Sequence, residues 1–122
     1  MPSALVIEDD EAVRVLVQKL LESDGFTVTT AADGLEGLVE LEKSLPDVVL
    51  CDMMMPNLDG MTFTRAIKKH SQTRSVPVIF LTAKTDTRTV AEGISAGARF
   101  YLTKPFNHAE LLQKVRKALG AR

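Results

Sequence analysis

A short, unbroken apolar run, Val-Val-Leu-Cys at residues 48–51, ends in the carboxylate of Asp52. Turn-forming residues follow it, among them Pro56 and Gly60. A strand that is apolar on both faces is typical of a parallel sheet covered by helices on both sides. Asp52 is therefore predicted to lie at the C-terminal end of a buried strand, where open parallel sheets bind ligands. Considered alone, a carboxylate at this point is more often the N-cap of the next helix than a reactive group.

Predicted strands and helices alternate along the whole chain. The other apolar or β-branched runs predict strands at residues 4–7, 26–31, 76–81 and 99–102. Apolar residues at helical spacing, such as Leu16, Val17, Leu20 and Leu21, predict a helix after each strand. The first helix is predicted to end at about residue 23, and the second to run from 34 to before 46. The last three are predicted from 61 to about 70, from about 86 to 95, and from 107 onward. Five strands and five helices in alternation predict an α/β fold with a parallel sheet.

Composition narrows the class of protein. A chain of 122 residues, 45% of them apolar, is long enough for one domain with a real core, and the domain is predicted to cover residues 1–122. The balance of 15 basic against 16 acidic residues gives no reason to expect direct binding to nucleic acid or to a membrane. Cys51 has no second cysteine to pair with, so an internal disulfide is excluded and a cytoplasmic location is expected.

Polar side chains follow four of the five predicted strands. Glu8, Asp9 and Asp10 follow the first strand, Asp52 the third, Thr82 the fourth and Lys104 the fifth. Because parallel strands end at one edge of the sheet, these groups can converge. Carboxylates that meet there repel each other unless a positive charge lies among them. Hard oxygen ligands with room for water suit Mg²⁺.

The same set of groups predicts phosphoryl chemistry. A metal ion, the ammonium of Lys104 and the hydroxyl of Thr82 would balance the charge on the oxygens of a transferring phosphoryl group. A carboxylate such as Asp52 can act as the nucleophile and form an acyl phosphate.

Four motifs in order give the chain a family resemblance. They are Val-Ile-Glu-Asp-Asp-Glu at 6–11, Met-Met-Met-Pro-Asn-Leu-Asp-Gly at 53–60 directly after Asp52, Leu-Thr-Ala at 81–83, and Tyr-Leu-Thr-Lys-Pro-Phe at 101–106. Over essentially its whole length the chain resembles the receiver domains of two-component response regulators, including the chemotaxis regulators. The resemblance implies a (βα)₅ flavodoxin-like fold, a three-layer α/β/α sandwich with a five-stranded parallel sheet in the order 2-1-3-4-5.

The resemblance also implies a phosphoacceptor and a metal site. Asp52 would accept a phosphoryl group from a sensor histidine kinase or a histidine phosphotransfer protein. Mg²⁺, with Mn²⁺ as a substitute, would be held by Glu8, Asp9, Asp52 and the backbone carbonyl of Met54. Such a domain is not a conventional enzyme, because it catalyses only its own phosphorylation and slow dephosphorylation. Asp10, beyond the acidic pair, is expected to cap the first helix.

The remaining implied roles concern switching. Thr82 and Ala83 would bind the phosphoryl group together with Lys104, while Tyr101 would be the switch aromatic. The resemblance further implies a cis peptide bond before Pro105. The fourth predicted helix, the fifth strand and the last helix would form the output surface that contacts a downstream effector protein or domain.

The geometry that the resemblance implies puts two side chains beside the path of the attacking water, and the lifetime of the phosphoryl group is expected to depend on them. These are Met54, two positions after Asp52, and Lys84, two positions after Thr82.

Three other classes of protein fit these residues less well. Haloacid-dehalogenase-type enzymes carry a second Asp two residues after the nucleophile, where this chain has Met54. In a flavin-binding module of the same fold, the acidic residues at 8–10 would repel the flavin phosphate. A degenerate receiver would be expected to lack Asp52, Thr82 or Lys104, all of which are present. Whether the domain stands alone or belongs to a longer regulator or hybrid kinase stays open, as does its cognate kinase.

Overall fold

A parallel sheet of five strands forms the centre of the fold. The computed structural model describes residues 2–53, 57–82, 91, 95, 97–98 and 100–120. The strands lie in the order β2-β1-β3-β4-β5, which confirms the predicted topology. Their bounds are β1 (Ser3–Ile7), β2 (Thr27–Ala31), β3 (Val48–Asp52), β4 (Val78–Thr82) and β5 (Phe100–Thr103).

Helices cover both faces of this sheet, as the alternation predicted. They are α1 (Glu11–Ser23), α2 (Gly34–Lys43), α3 (Gly60–Lys68) and the C-terminal helix, numbered α4 here (His108–Gly120). The helix predicted over residues 86–95 falls mostly outside the described residues, although Ala91 and Ser95 within it are helical. No helix in the described part of the chain is both long enough and apolar enough to span a bilayer.

The core consists of two clusters, one on each face of the sheet. Successive strand residues alternate between the faces, so that Ala4 and Val6 enter one cluster while Leu5 and Ile7 enter the other. Helices α1 and α4 cover the first face through Val17, Leu21, Leu111, Val115 and Ala118. Helices α2 and α3 cover the second face through Leu41, Phe63 and Ile67. The fold is therefore the three-layer sandwich that the sequence predicted.

Aspartates cap α1, α2 and α3 at their N-terminal ends, near the C-terminal edge of the sheet. Asp10 accepts hydrogen bonds from the backbone N–H groups of Ala12 and Val13 at the start of α1, which confirms it as a cap. Asp33 caps α2 and Asp59 caps α3 in the same way. A carboxylate at this position satisfies free N–H groups and interacts favourably with the helix dipole.

The apolar face of α1 is narrower than its sequence spacing suggested. Val17 and Leu21 are buried, but Leu16 is 48% exposed and the neighbouring Val15 is 36% exposed. The sheet contacts one stripe of the helix, so the flanking apolar residues remain in contact with solvent.

Candidate functional site

The four strand ends that carry polar side chains do meet at one edge of the sheet. The parallel register pairs Ile7 of β1 with Cys51 of β3, so Glu8 follows at the level of Asp52. Strand β3 in turn pairs Asp52 with Leu81, and β4 pairs Thr82 with Thr103, the residue before Lys104.

Three carboxylates lie close together at this edge. Glu8, Asp9 and Asp52 each offer an oxygen, and these three oxygens lie within 4.8 Å of one another. Glu8 is fully buried, Asp52 is 8% exposed, and Asp9 is exposed. The cluster is therefore open to solvent on the Asp9 side and closed beneath Glu8.

One ammonium group lies among these carboxylates. Nζ of Lys104 lies 2.5 Å from Oε1 of Glu8 and donates a hydrogen bond of 3.3 Å to Oδ2 of Asp52. The backbone N–H of Lys104 donates to the carbonyl oxygen of Thr82 at 2.6 Å, which attaches the start of this loop to the end of β4. The Lys104–Pro105 peptide bond is cis, the isomer that the resemblance implies.

The surroundings shift the protonation of two groups in the site. Burial raises the pKa of Glu8 from 4.5 to about 7, and the nearby Asp52 carboxylate adds to this effect. Burial alone would lower the pKa of Lys104, but the Glu8 and Asp52 carboxylates outweigh it and the pKa of Lys104 is raised. Lys104 therefore keeps its positive charge. Glu8, in contrast, can take up a proton near neutral pH when no metal ion is bound.

The donor set fits a divalent cation. At Oε1 of the buried Glu8, the described residues supply a close ion pair with Lys104 but no hydrogen bond of good geometry. Among the described residues, the ammonium of Lys104 contacts two of the three carboxylates, Glu8 and Asp52. Oxygen ligands with one side open to water are what Mg²⁺ selects.

Two further predicted site residues, Thr82 and Tyr101, lie in the described part of the chain. Thr82 is buried at the end of β4, next to the strand that carries Asp52. Tyr101 is half-buried on the edge strand β5, and Nζ of Lys114 lies 5.5 Å from the centroid of its ring. Met54, Ala83 and Lys84 lie outside the described residues.

Two contacts near the site were not found from the sequence. The guanidinium of Arg14 donates to the backbone carbonyl of Glu8 at 2.9 Å. The side-chain amide of Asn57 donates to the carboxylate of Asp33 at 2.7 Å. The sequence carries no signal for the second contact, because its partners are 24 positions apart and each is an ordinary turn or cap residue.

Comparison with known sequences gives a consistent result. The sequence profile described as response regulator receiver domain matches residues 4–116. The chain is 44% identical over 115 residues to the transcriptional regulatory protein CseB of Streptomyces coelicolor, covering 94% of this chain and 48% of that protein. It is 38% identical over 119 residues to the transcriptional regulator RpaA of a Synechocystis species, covering 98% of this chain and 49% of that protein. The chain thus spans about half the length of the curated relatives it matches.

Solved structures agree over nearly the whole chain. The chemotaxis protein CheY4 of Vibrio cholerae superposes with a TM-score of 0.94 at 35% identity, covering 98% of this chain and 99% of that one. The receiver domain of a sensor histidine kinase from Pseudomonas aeruginosa, solved with a magnesium ion coordinated in its active site cleft, superposes with a TM-score of 0.90 at 34% identity. That superposition covers 98% of each chain.

Proposed function

This chain belongs to the response regulator receiver domain family, and from that membership we propose that it is a phosphorylation-activated switch whose phosphoacceptor is Asp52. The observation that carries the proposal is the convergence of three carboxylates, with oxygens within 4.8 Å of one another, two of which contact the ammonium of Lys104. The fully buried Glu8 and the exposed Asp9 would hold the metal, and Asp52 would be both a ligand and the nucleophile.

The proposed reaction moves a phosphoryl group from a phosphohistidine to Asp52. The donor would be a sensor histidine kinase or a histidine phosphotransfer protein. A carboxylate oxygen of Asp52 attacks phosphorus in line with the P–N bond, and an acyl phosphate forms as that bond breaks. The bonding electrons go to the imidazole, which takes up a proton. Lys104, already hydrogen-bonded to Asp52, would neutralise charge on the phosphoryl oxygens.

We expect Mg²⁺ to be held by the carboxylates of Glu8, Asp9 and Asp52. The resemblance adds the backbone carbonyl of Met54 as a further ligand, and Mn²⁺ would substitute for Mg²⁺. When bound, the ion supplies positive charge to the phosphoryl oxygens and offsets the carboxylates. The magnesium-bound receiver domain from Pseudomonas aeruginosa supports this assignment by likeness.

The proposed switch couples the site to a surface. Thr82, beside Asp52 at the next strand end, would move its hydroxyl to the phosphoryl group, with Ala83 contributing to phosphoryl binding. Tyr101 would then rotate inward, and the region of residues 86–95, β5 and α4 would change as the output surface.

Thr82→Ala should keep phosphorylation but weaken this change, because phosphoryl contacts favour only one of the two states. Full NMR shifts at β5 on adding beryllofluoride to Thr82→Ala would contradict the coupling.

The proposed partners are proteins. A kinase or phosphotransfer protein would dock near α1 and the loop after β5, and the exposed Val15 and Leu16 offer apolar contact on α1. A downstream effector protein or domain would read the output surface. No direct binding to nucleic acid or membrane is proposed for this domain, and its proposed location is the cytoplasm.

Phosphorylation by a small donor tests the proposal. With acetyl phosphate and Mg²⁺, intact-protein mass spectrometry should show the gain of one phosphoryl group. The gain should not occur when EDTA is present or when Asp52 is replaced, as in Asp52→Asn. Asp10→Asn is the matched control, because it removes a charge from the same sheet edge while asparagine preserves the cap of α1. Equal labelling of Asp52→Asn and the wild type would reject Asp52 as the phosphoacceptor.

A further inference from the structure

The N-terminus of α2 contacts the loop that follows the strand of Asp52. In the carboxylate of Asp33, Oδ1 accepts the backbone N–H of Glu36 at 2.9 Å, and Oδ2 accepts Nδ2 of Asn57 at 2.7 Å. The Glu36 N–H and the Asn57 amide both lower the pKa of Asp33, so both oxygens are acceptors at neutral pH. One side chain thus joins two segments that are distant in sequence.

Close backbone packing holds the same loop on either side of this bond. A Cβ atom on Gly34 would lie 2.5 Å from the carbonyl oxygen of Leu58. A Cβ atom on Gly60 would overlap the carbonyl oxygen of Asp52, and the N–H of Gly60 donates to the carbonyl of Met53 at 3.2 Å. The described part of the loop therefore lies tightly between α2 and the end of β3.

The conformation of Asn57 also indicates that the loop is held in place. Its φ of 69° lies in the left-handed region, which asparagine tolerates better than most residues but which still has a conformational cost. A residue keeps such a backbone conformation where the contacts around it hold it in place. The hydrogen bond to Asp33 is one such determinant.

We propose that Asp33 is a positioning residue for metal binding and phosphoryl transfer, acting through Asn57 on the loop after Asp52. The proposal rests on the proposed function of Asp52. Met54, to which the resemblance assigns a metal-ligating carbonyl, is three positions before Asn57, and three residues span at most about 10 Å. An anchor at Asn57 therefore limits the positions open to that carbonyl. Without the anchor, metal binding would have to meet the free-energy cost of ordering the loop and would therefore be weaker. The loss of outer hydrogen-bond partners weakens other metal sites in a similar way.

An exchange of the two side chains isolates the bridge. Asp33→Asn keeps the cap, because its Oδ1 can still accept the N–H of Glu36. Across the bridge it replaces the charge-assisted bond to Asn57 by a weaker bond between two neutral amides. The double variant D33N/N57D restores an amide donor and a charged acceptor, with the roles exchanged and the net charge unchanged. Asp59→Asn is the matched control, since it makes the same change at the cap of α3, where Asp59 accepts the N–H of Thr62 at 2.8 Å.

The primary measurement is the Mg²⁺ dissociation constant from an NMR titration without phosphodonor, at a temperature where thermal scans show every variant folded. D33N should bind Mg²⁺ roughly three- to tenfold more weakly, about the difference between a charge-assisted and a neutral hydrogen bond. D33N/N57D should return to within about twofold of the wild type, and Asp59→Asn should not differ from it.

Two results overturn the positioning role: Mg²⁺ affinity in D33N equal to that of the wild type, or affinity in the double variant as weak as in D33N. Phosphorylation of the wild type on Asp52 is measured in parallel. A wild type that is not phosphorylated would contradict the proposed function, whereas a phosphorylated wild type with an unaffected D33N would overturn this inference alone.

Discussion

The ammonium of Lys104 lies 2.5 Å from Oε1 of Glu8, a carboxylate that is fully buried. The same ammonium lies 3.3 Å from Oδ2 of Asp52, so one cation faces two carboxylates of the proposed metal site. Lys104 therefore compensates buried negative charge when no metal is bound, and we expect it to compete with a metal for the same oxygens. In the phosphorylated state we expect it to pair with the phosphoryl group instead.

Replacing Lys104 should separate metal binding from phosphoryl transfer. Lys104→Met removes the competing charge and keeps an apolar stem, so Mg²⁺ should bind several-fold more tightly while phosphorylation by acetyl phosphate slows by about tenfold or more. Lys43→Met is the control, because Lys43 is an exposed lysine whose ion pair in the described part of the chain is with Glu40 on α2. A Mg²⁺ titration and an initial-rate assay give both quantities. Weaker Mg²⁺ binding in Lys104→Met would contradict the competition.

The metal-free protein should lose stability as pH rises from about 4.5 to about 7. The pKa of Glu8 is raised by burial from 4.5 to about 7, so across this interval the folded protein keeps a proton that the unfolded chain releases. The contribution of Glu8 to the free energy of unfolding is therefore fully present below pH 4.5, and it is lost as the pH rises through the pKa of the folded state. Urea unfolding at a series of pH values measures the slope, and Glu8→Gln should lack this part of it. Parallel curves for the two proteins would show that Glu8 does not titrate in this range.

The phosphoryl group on Asp52 should be long-lived. Met54 and Lys84 lie at the two sequence positions expected to flank the attacking water, and neither is a carboxylate or amide that could orient it. Met54→Asn combined with Lys84→Glu should shorten the lifetime by more than roughly tenfold, which is within what positioning one water can contribute. The decay of phosphorylated protein after removal of the donor gives the lifetime. An unchanged half-life at saturating Mg²⁺ would show that these positions do not control the water.

The sequence predicted the groups that meet at the sheet edge because their placement follows from periodicity alone. Glu8, Asp52 and Thr82 directly follow or close apolar runs, and parallel strands end at a common edge. The different burial of Glu8 and Asp9 was not predictable, because it depends on which neighbouring elements pack over each side chain. The exposure of Leu16 was missed for a related reason: helical spacing shows which residues share a face, but not how wide a stripe the sheet covers.

Strand boundaries shifted for local reasons. Strand β4 was predicted from residue 76, but it begins at Val78, directly after Pro77. Proline has no N–H to contribute to the ladder, although its carbonyl still accepts the N–H of Val49. An apolar run therefore overstates the length of a strand when proline lies near its start.

The last prediction compares two glycines that pack closely for different reasons. A Cβ on Gly60 would overlap the backbone carbonyl oxygen of Asp52, which cannot move without displacing the end of β3. A Cβ on Gly37 would lie 2.5 Å from Cδ1 of Ile7 and 3.2 Å from Cε1 of Phe63, buried side chains that can still shift further than a backbone carbonyl. Gly60→Ala should therefore lower the free energy of unfolding by about 2 kcal/mol or more and also weaken Mg²⁺ binding. Gly37→Ala should stay within about 1 kcal/mol of the wild type, because alanine's higher helix propensity offsets the crowding in α2. Urea denaturation of both variants measures the difference. Equal losses of stability, with Mg²⁺ binding unchanged in Gly60→Ala, would show that the approach of Gly60 to Asp52 does not constrain the site.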